Sequence, residues 1–172
     1  MDRWTVHLSD ERIVTLRHLA LEDRTQLLSM AESFSDDVLI WSSPPYDEAK
    51  IDRWMTGVGT RLSIVAVHDQ KIVGISSIHR LRLPRQKGTA GMMIYIHQDF
   101  HGVGLGTAMT KHVLTLAEKE ELHRISLEVV EDNEVAVQLY KKAGFQVEGR
   151  LVDAYYGDDE KYHNMLVMGK IL

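Results

Sequence analysis

The chain has 172 residues, 44% of them hydrophobic and 26% charged, with a formal net charge of −5 and no cysteine. This is enough length for one well-buried core, so a single domain spanning 1–172 is expected; the missing cysteines exclude disulfides, thiolate metal sites and a cysteinyl acyl-enzyme. The acidic balance, with no basic block, argues against nucleic acid as a ligand and favours a cationic partner through long-range attraction.

No apolar run approaches the ~20 residues that span a bilayer, and Met1-Asp2-Arg3-Trp4 carries no signal-peptide core, so a cytoplasmic protein without membrane contact is expected. Val14 to His18 reads as a first strand and Leu21 to Phe34 as a helix. After Pro44-Pro45, Asp47 suits the N-cap of a second helix running through Met55 toward Gly57. Arg61 to His68 and Lys71 to Leu81 are β-rich runs joined at Asp69-Gln70, a hairpin signal, and Thr89 to His97 makes another strand. From Leu105 toward Glu121, the residues Leu105, Ala108, Met109, His112, Val113 and Leu116 fall on one helical stripe. Arg124 to Val130 alternates as a strand, with Ile125, Leu127 and Val129 on one face. Asp132 or Asn133 caps a last helix with Ala136, Leu139, Tyr140 and Ala143 inside, and Gly144 sits where a left-handed residue ends it. Phe145 to Tyr156 and Tyr162 to Leu172 close the chain as two strands around Gly157-Asp158-Asp159-Glu160.

Between the strand ending near Ile96 and the helix from Leu105 lies His101-Gly102-Val103-Gly104-Leu105-Gly106-Thr107. Glycines at alternate positions expose the backbone amides of a helix N-terminus, which binds phosphate without a basic side chain. A tight turn with close strand–helix packing explains the glycines equally well. No Lys-Ser or Lys-Thr follows them, which excludes a P-loop, and the Gly-x-Gly-x-Gly spacing more than halfway along the chain disfavours a dinucleotide fold.

The loop resembles that of the GNAT acyltransferase superfamily, whose acyl-CoA loop reads Arg/Gln-x-x-Gly-x-Gly/Ala. His101 takes the Arg/Gln place, a departure that bears on one side-chain phosphate contact, and Gly104 and Gly106 take the small positions. The resemblance continues through Asn133, Tyr140, Gly144 and Phe145 and covers roughly Ile64 to Leu172. It implies an α/β fold with a mixed, mostly antiparallel central sheet flanked by helices. It also implies an acetyl-CoA-dependent N-acetyltransferase that acts by direct attack in a ternary complex, without metal. By the same resemblance, the backbone of Ile94 and Ile96 pairs with the pantetheine arm across a splay toward Leu127 to Val130, amides from Val103 to Thr107 hold the pyrophosphate, and Asn133 touches the CoA arm. From the residues alone, Ile94 and Ile96 read equally as core strand, and Asn133 as a helix cap.

Lys142, beside Lys141, offers charge to the nucleotide 3′-phosphate or is a solvated helix face. Tyr140 is the candidate acid for the departing thiolate, the other reading being a packed phenol with a satisfied hydroxyl. Glu128, on the strand face opposite the apolar set, is the candidate base; His97, His101, Glu131, Tyr155, Tyr156 and His163 stand within reach of the same role. No histidine pair combines helical i, i+4 spacing with a following ligand, so no metal site is expected. The run Glu148-Gly149-Arg150-Leu151 and Tyr155 to His163 resembles the branch with ribosomal-protein N-terminal, polyamine and amino-acid acetyltransferases. The acceptor implied is an amine-bearing small molecule or a protein N-terminus, and a homodimer is left open. The alternative is a non-catalytic acyl-CoA-binding or sensing domain.

Overall fold

A computed structural model describes residues 2–60, 62–81 and 83–172. An amino-terminal hairpin, half of which escapes the sequence pattern, opens the fold. Its strands β1 (Arg3–His7) and β2 (Ile13–His18) pair antiparallel, with Trp4 opposite Leu16 and Val6 opposite Val14. The β1 residues alternate between exposed and half-buried, too weak a contrast to read as a strand from sequence.

The helix expected from Leu21 to Phe34 is divided. A 3₁₀ turn, Leu21–Asp23, precedes α1 (Arg24–Glu32), which ends at Ser33, and a further short helix, α2 (Asp36–Leu39), follows. Asp23 is the physical reason for the tight entry. Its carboxylate, 1% exposed, accepts from both terminal nitrogens of Arg17 at 2.7 and 2.6 Å and from the Ala20 amide at 2.9 Å. That ties the turn to the end of β2. The helix α3 (Glu48–Met55) starts as expected, with the Asp47 side chain accepting from the Lys50 amide at 2.9 Å.

β3 (Ser63–His68) and β4 (Lys71–Arg80) form the expected hairpin, Arg61 lying outside the described residues. Asp69 and Gln70 both take positive φ, 46° and 65°, which matches the right-handed twist of the flanking strands. Then come β5 (Thr89–Ile96), α4 (Leu105–Lys119), β6 (Arg124–Val130), α5 (Glu134–Lys142), β7 (Gln146–Tyr156) and β8 (Tyr162–Ile171). Among the described residues eight strands join one sheet in the order β1-β2-β3-β4-β5-β6-β8-β7, and every neighbouring pair is antiparallel except β5 and β6. A parallel pair needs a crossover, and α4 supplies it.

The sheet divides the core in two. On one face α4 and α5 bury Leu105, Met109, Val113, Val137 and Tyr140 against Ala90, Met92, Ile125, Leu127 and Val129. On the other, α1 and α3 bury Leu27, Met30, Ile51 and Trp54 against Val65 and Ile75, with Met93 and Tyr95 packed beside them. Two-residue alternation along β5 and β6 therefore sorts their side chains between the two faces. α5 ends as its sequence predicts: Gly144 at φ 92° lets its amide reach Lys141 O and the Phe145 amide reach Tyr140 O, both at 3.0 Å. Among the described residues no helix is long and apolar enough to cross a membrane.

Candidate active site

The site begins where the parallel pairing stops. β5 and β6 are matched at Thr89–Arg124, Ala90–Ile125 and Gly91–Ser126 and no further, although β5 runs on to Ile96 and β6 to Val130. The strands thus splay, and their open ends point toward the glycine loop and the start of α5. His97 donates its amide to Val73 on β4 at 3.0 Å, so by alternation Ile94 and Ile96 turn their own backbone groups into the splay. Their side chains pack on the α4/α5 core, so each residue combines both readings of its sequence.

At the open end, the amides of Gly102, Val103, Gly104, Leu105, Gly106 and Thr107 donate to no acceptor among the described residues. The last three are the orphan donors of a helix start, and the preceding ones extend them into the loop. The glycines do different jobs. Gly102 and Gly104 adopt φ of 72° and 93°, where an L side chain is strained, while a Cβ on Gly106 would press Ile96 Cδ1 at 3.3 Å and Leu139 Cδ2 at 3.4 Å. Gly106 is the packing glycine that the alternative reading required. The loop is braced from outside: Val103 O accepts from the Ser9 amide at 3.2 Å, and Arg12 lies 4.0 Å over the Phe100 ring while donating to Asp99 O at 2.7 Å.

His101 folds its imidazole back to Ile96 O at 2.9 Å. It closes the end of β5 rather than reaching across the loop. Asn133 caps α5 by accepting from the Ala136 amide at 3.2 Å, which occupies its oxygen and leaves its NH₂ as a donor. Lys142 is exposed, one turn past the Leu139 that touches Gly106.

Tyr140 projects into the α4/α5 core, 8% exposed, with its ring edge-on to Phe145 at 5.8 Å. Its hydroxyl makes no hydrogen bond to a described residue, yet it is absent from the fully enclosed orphan atoms, so it opens onto accessible space. The satisfied-hydroxyl reading is not what the geometry shows. Burial pushes this phenol up to about 12. Tyr95, on the other face of β5, is likewise raised, chiefly by its own burial and by Tyr46, with Tyr140 adding to the effect.

At the fork itself is a cleft of about 330 Å³ lined by His79, Gly91, Met92, Met93, Ser126, Leu127, Glu128 and Val167. It draws residues from both faces of the sheet. Glu128 is exposed and forms no ion pair with a described residue. The rival bases are otherwise engaged. Glu131 is held by Arg150 at 2.7 Å and depressed below its ordinary value by that guanidinium. His163 is clamped by Asp159 at 3.0 Å and Asp132 at 2.7 Å, and these carboxylates raise its pKa and favour the imidazolium. The Tyr155 hydroxyl lies 2.8 Å from Ser42 O and 3.0 Å from Ile40 O. Tyr156 is exposed against Tyr162, and both ring nitrogens of His97 are taken by Gln98 and the Asp99 amide.

His79 is the residue that sequence reasoning missed. Its signal was the alternation of β4 together with an unexplained glycine, Gly91, in the neighbouring strand.

The sequence profile of the acetyltransferase (GNAT) family matches residues 25–145. An L-amino acid N-acetyltransferase of Escherichia coli (strain K12) is 30% identical over 104 residues, covering 54% of this chain and 64% of that protein, so the match spans just under two thirds of that relative. A spermidine N(1)-acetyltransferase of the same organism is 25% identical over 166 residues, covering 90% of this chain and 84% of that one. The crystal structure of a GNAT-family acetyltransferase from Streptococcus pneumoniae superposes with a TM-score of 0.81 at 23% identity, covering 92% of this chain and 99% of that chain. The splayed parallel pair, the amide-lined loop that follows it and the family profile across 121 residues agree, and the chain belongs to the acetyltransferase (GNAT) family.

Proposed function

We propose that the chain transfers the acetyl group of acetyl-CoA to a primary amine by direct attack in a ternary complex. The observation that carries the reading is the splay after Gly91–Ser126, with six amides at its open end that donate to no described residue. An extended pantetheine arm fits beside Ile94 and Ile96 as an added strand, and the loop amides from Gly102 to Thr107 suit the pyrophosphate, with Asn133 and Lys142 as further contacts. A preorganised amide aimed at a thioester carbonyl contributes about 2.7–4 kcal/mol in acyl-transfer sites of this type.

Tyr140 on one face and Glu128 on the other suit opposite ends of the transfer. Tyr140 donates its hydrogen to the departing sulfur, and Glu128 attracts the acceptor's ammonium group. With no cysteine in the chain, a thiol-linked acyl-enzyme has no nucleophile, which favours attack by the amine itself. The relatives named for amino-acid and spermidine acetylation support an amine acceptor, and with it a protein N-terminus stays in range. A cytoplasmic setting goes with this reading.

The test is a screen of amino acids, polyamines and peptide N-termini with acetyl-CoA, monitoring free thiol, alongside thermal melts with CoA, NAD and ATP. At ~100 times its dissociation constant a ligand stabilises by about 2.7 kcal/mol. CoA alone is expected to raise the melting temperature, and no shift at millimolar CoA would overturn the reading.

A further inference from the structure

Within this acyltransfer reading, we propose that His79 is the residue that takes the proton from the acceptor amine, with Glu128 holding the amine as its ammonium ion in the cleft at the fork of β5 and β6. Both residues line that cleft, and they are the titratable groups among its described lining residues. Their placement follows from the register. His79 lies opposite Gly91, Gly91 is matched with Ser126, and Glu128 is two residues beyond Ser126, so all four sit on the α1/α3 face. Two strand spacings across and two residues along give a Cα separation of at least roughly 12 Å, since the strands part beyond Ser126. We place one ammonium group between them, in contact with Glu128 and with His79 directly or through one water.

Gly91 is the floor of this arrangement. It carries no positive φ, and a Cβ added there would meet nothing nearer than Ser126 O at 4.0 Å. Packing therefore does not require a glycine in this strand, where glycine weakens the sheet; a side chain would instead project between His79 and Glu128. Among the described residues lining its cleft, Glu128 is the one other titratable group that faces His79. Burial of the ring, though the residue is exposed at the end of its strand, holds its pKa below the histidine value of 6.5, and no neighbouring charge adds to that effect. A neutral imidazole is a competent base at pH 7, whereas both ring nitrogens of His163 are already held by carboxylates.

The proton count closes. R–NH₃⁺ gives one proton to His79 and becomes the nucleophile. The new C–N bond forms at the thioester carbonyl, the C–S bond breaks, and the sulfur takes the proton of Tyr140. The second proton of the new N–H₂⁺ group returns to Tyr140, and His79 releases its own to solvent. The sum is R–NH₃⁺ plus acetyl-CoA giving R–NH–acetyl, CoA thiol and one proton.

The experiment is a pH profile of kcat/KM, at saturating acetyl-CoA, for the best amine of the screen, with wild type, H79Q, H79A and E128Q. Wild type is expected to show an acid limb below pH 6.5 and a plateau above it. Both His79 variants should melt like wild type and lose about 10²-fold at pH 7, with the plateau replaced by a tenfold rise per pH unit toward the amine's own pKa. E128Q should raise the amine KM about tenfold and keep the limb. A wild-type profile in H79Q, or loss of the limb in E128Q, overturns the assignment. A wild-type chain that acetylates no amine overturns the acyltransfer reading and this assignment with it.

Discussion

Replacing Tyr140 by Phe removes one oxygen from a site whose energetics the structure defines closely. The ring is packed edge-on to Phe145 and 8% exposed, and the hydroxyl has no acceptor among the described residues. Its deletion therefore costs no protein hydrogen bond, and stability should stay within about 0.5 kcal/mol. The effect on turnover has two sources that can be weighed. The phenol's pKa of about 12 keeps it protonated at every working pH. Against an ordinary thiol near 8.5, the gap of about 3.5 pH units makes complete transfer to a solvated thiolate uphill by about 5 kcal/mol. The departing sulfur shares the same apolar surroundings, which raise its basicity and close part of that gap. If the phenol only donates a hydrogen bond to developing charge, it contributes about 1.5–3 kcal/mol, or roughly 10- to 150-fold. If transfer is complete, general acid catalysis contributes about 10²–10⁴-fold. The two ranges meet near 10²-fold, and that is the fall in kcat expected for Y140F. The assay is thiol release at saturating acetyl-CoA and amine, with rapid-quench kinetics to show that chemistry limits the rate. A variant within threefold of wild type under those conditions would remove Tyr140 from the chemistry. A variant that loses rate only through lost stability would make the residue structural.

Gly104→Val places a β-branched side chain at φ 93°, so the variant should keep its circular dichroism but lose most of the CoA-induced melting shift; retention of the full shift would make the loop a simple turn. Asp23→Ala leaves the Arg17 guanidinium without its buried acceptor and should lower the urea-unfolding free energy by about 3–5 kcal/mol, and a loss under 1 kcal/mol would refute the role given to this pair. His163 has its pKa raised by Asp159 and Asp132, so its stabilising contribution is complete below the unfolded value near 6.5 and fades as pH rises through the elevated folded value; H163Q should flatten the dependence of melting temperature on pH above 6.5, and an unchanged slope would show that the clamp contributes nothing.

The second half of the fold was legible because its signals are local. The stripe from Leu105 to Leu116, the alternation of Arg124 to Val130, the Asn133 cap and the glycine at 144 each depend on a few neighbouring residues, and each element lies within a residue or two of its expected bounds. The first half depends on distant partners. β1 exists because Val14 and Leu16 offer it an edge, and its own pattern of half-burial carries little apolar contrast. The break between the 3₁₀ turn and α1 depends on a carboxylate that finds Arg17 in three dimensions. No periodicity announces either feature.

The candidate site was legible where backbone chemistry dictates residue type and opaque where it depends on which strands part. Glycines at 102 and 104 are visible in sequence because their φ values admit little else, and Tyr140 because its helical stripe carries it inward. The splay leaves no such mark: Ile94, Ile96, Leu127 and Val129 would be apolar in a closed pair as well, since both arrangements bury them against α4 and α5. His79 could not be reached without it. Its strand is two removed from Glu128 in the sheet and about fifty residues away in the chain, and the fork between β5 and β6 opens one cleft to both. What sequence does offer is Gly91, a glycine that the closed sheet has no need of. A strand glycine with open space beside its Cα is a request for room, and here the room adjoins Glu128, which forms no ion pair with a described residue, and His79, which no described carboxylate clamps.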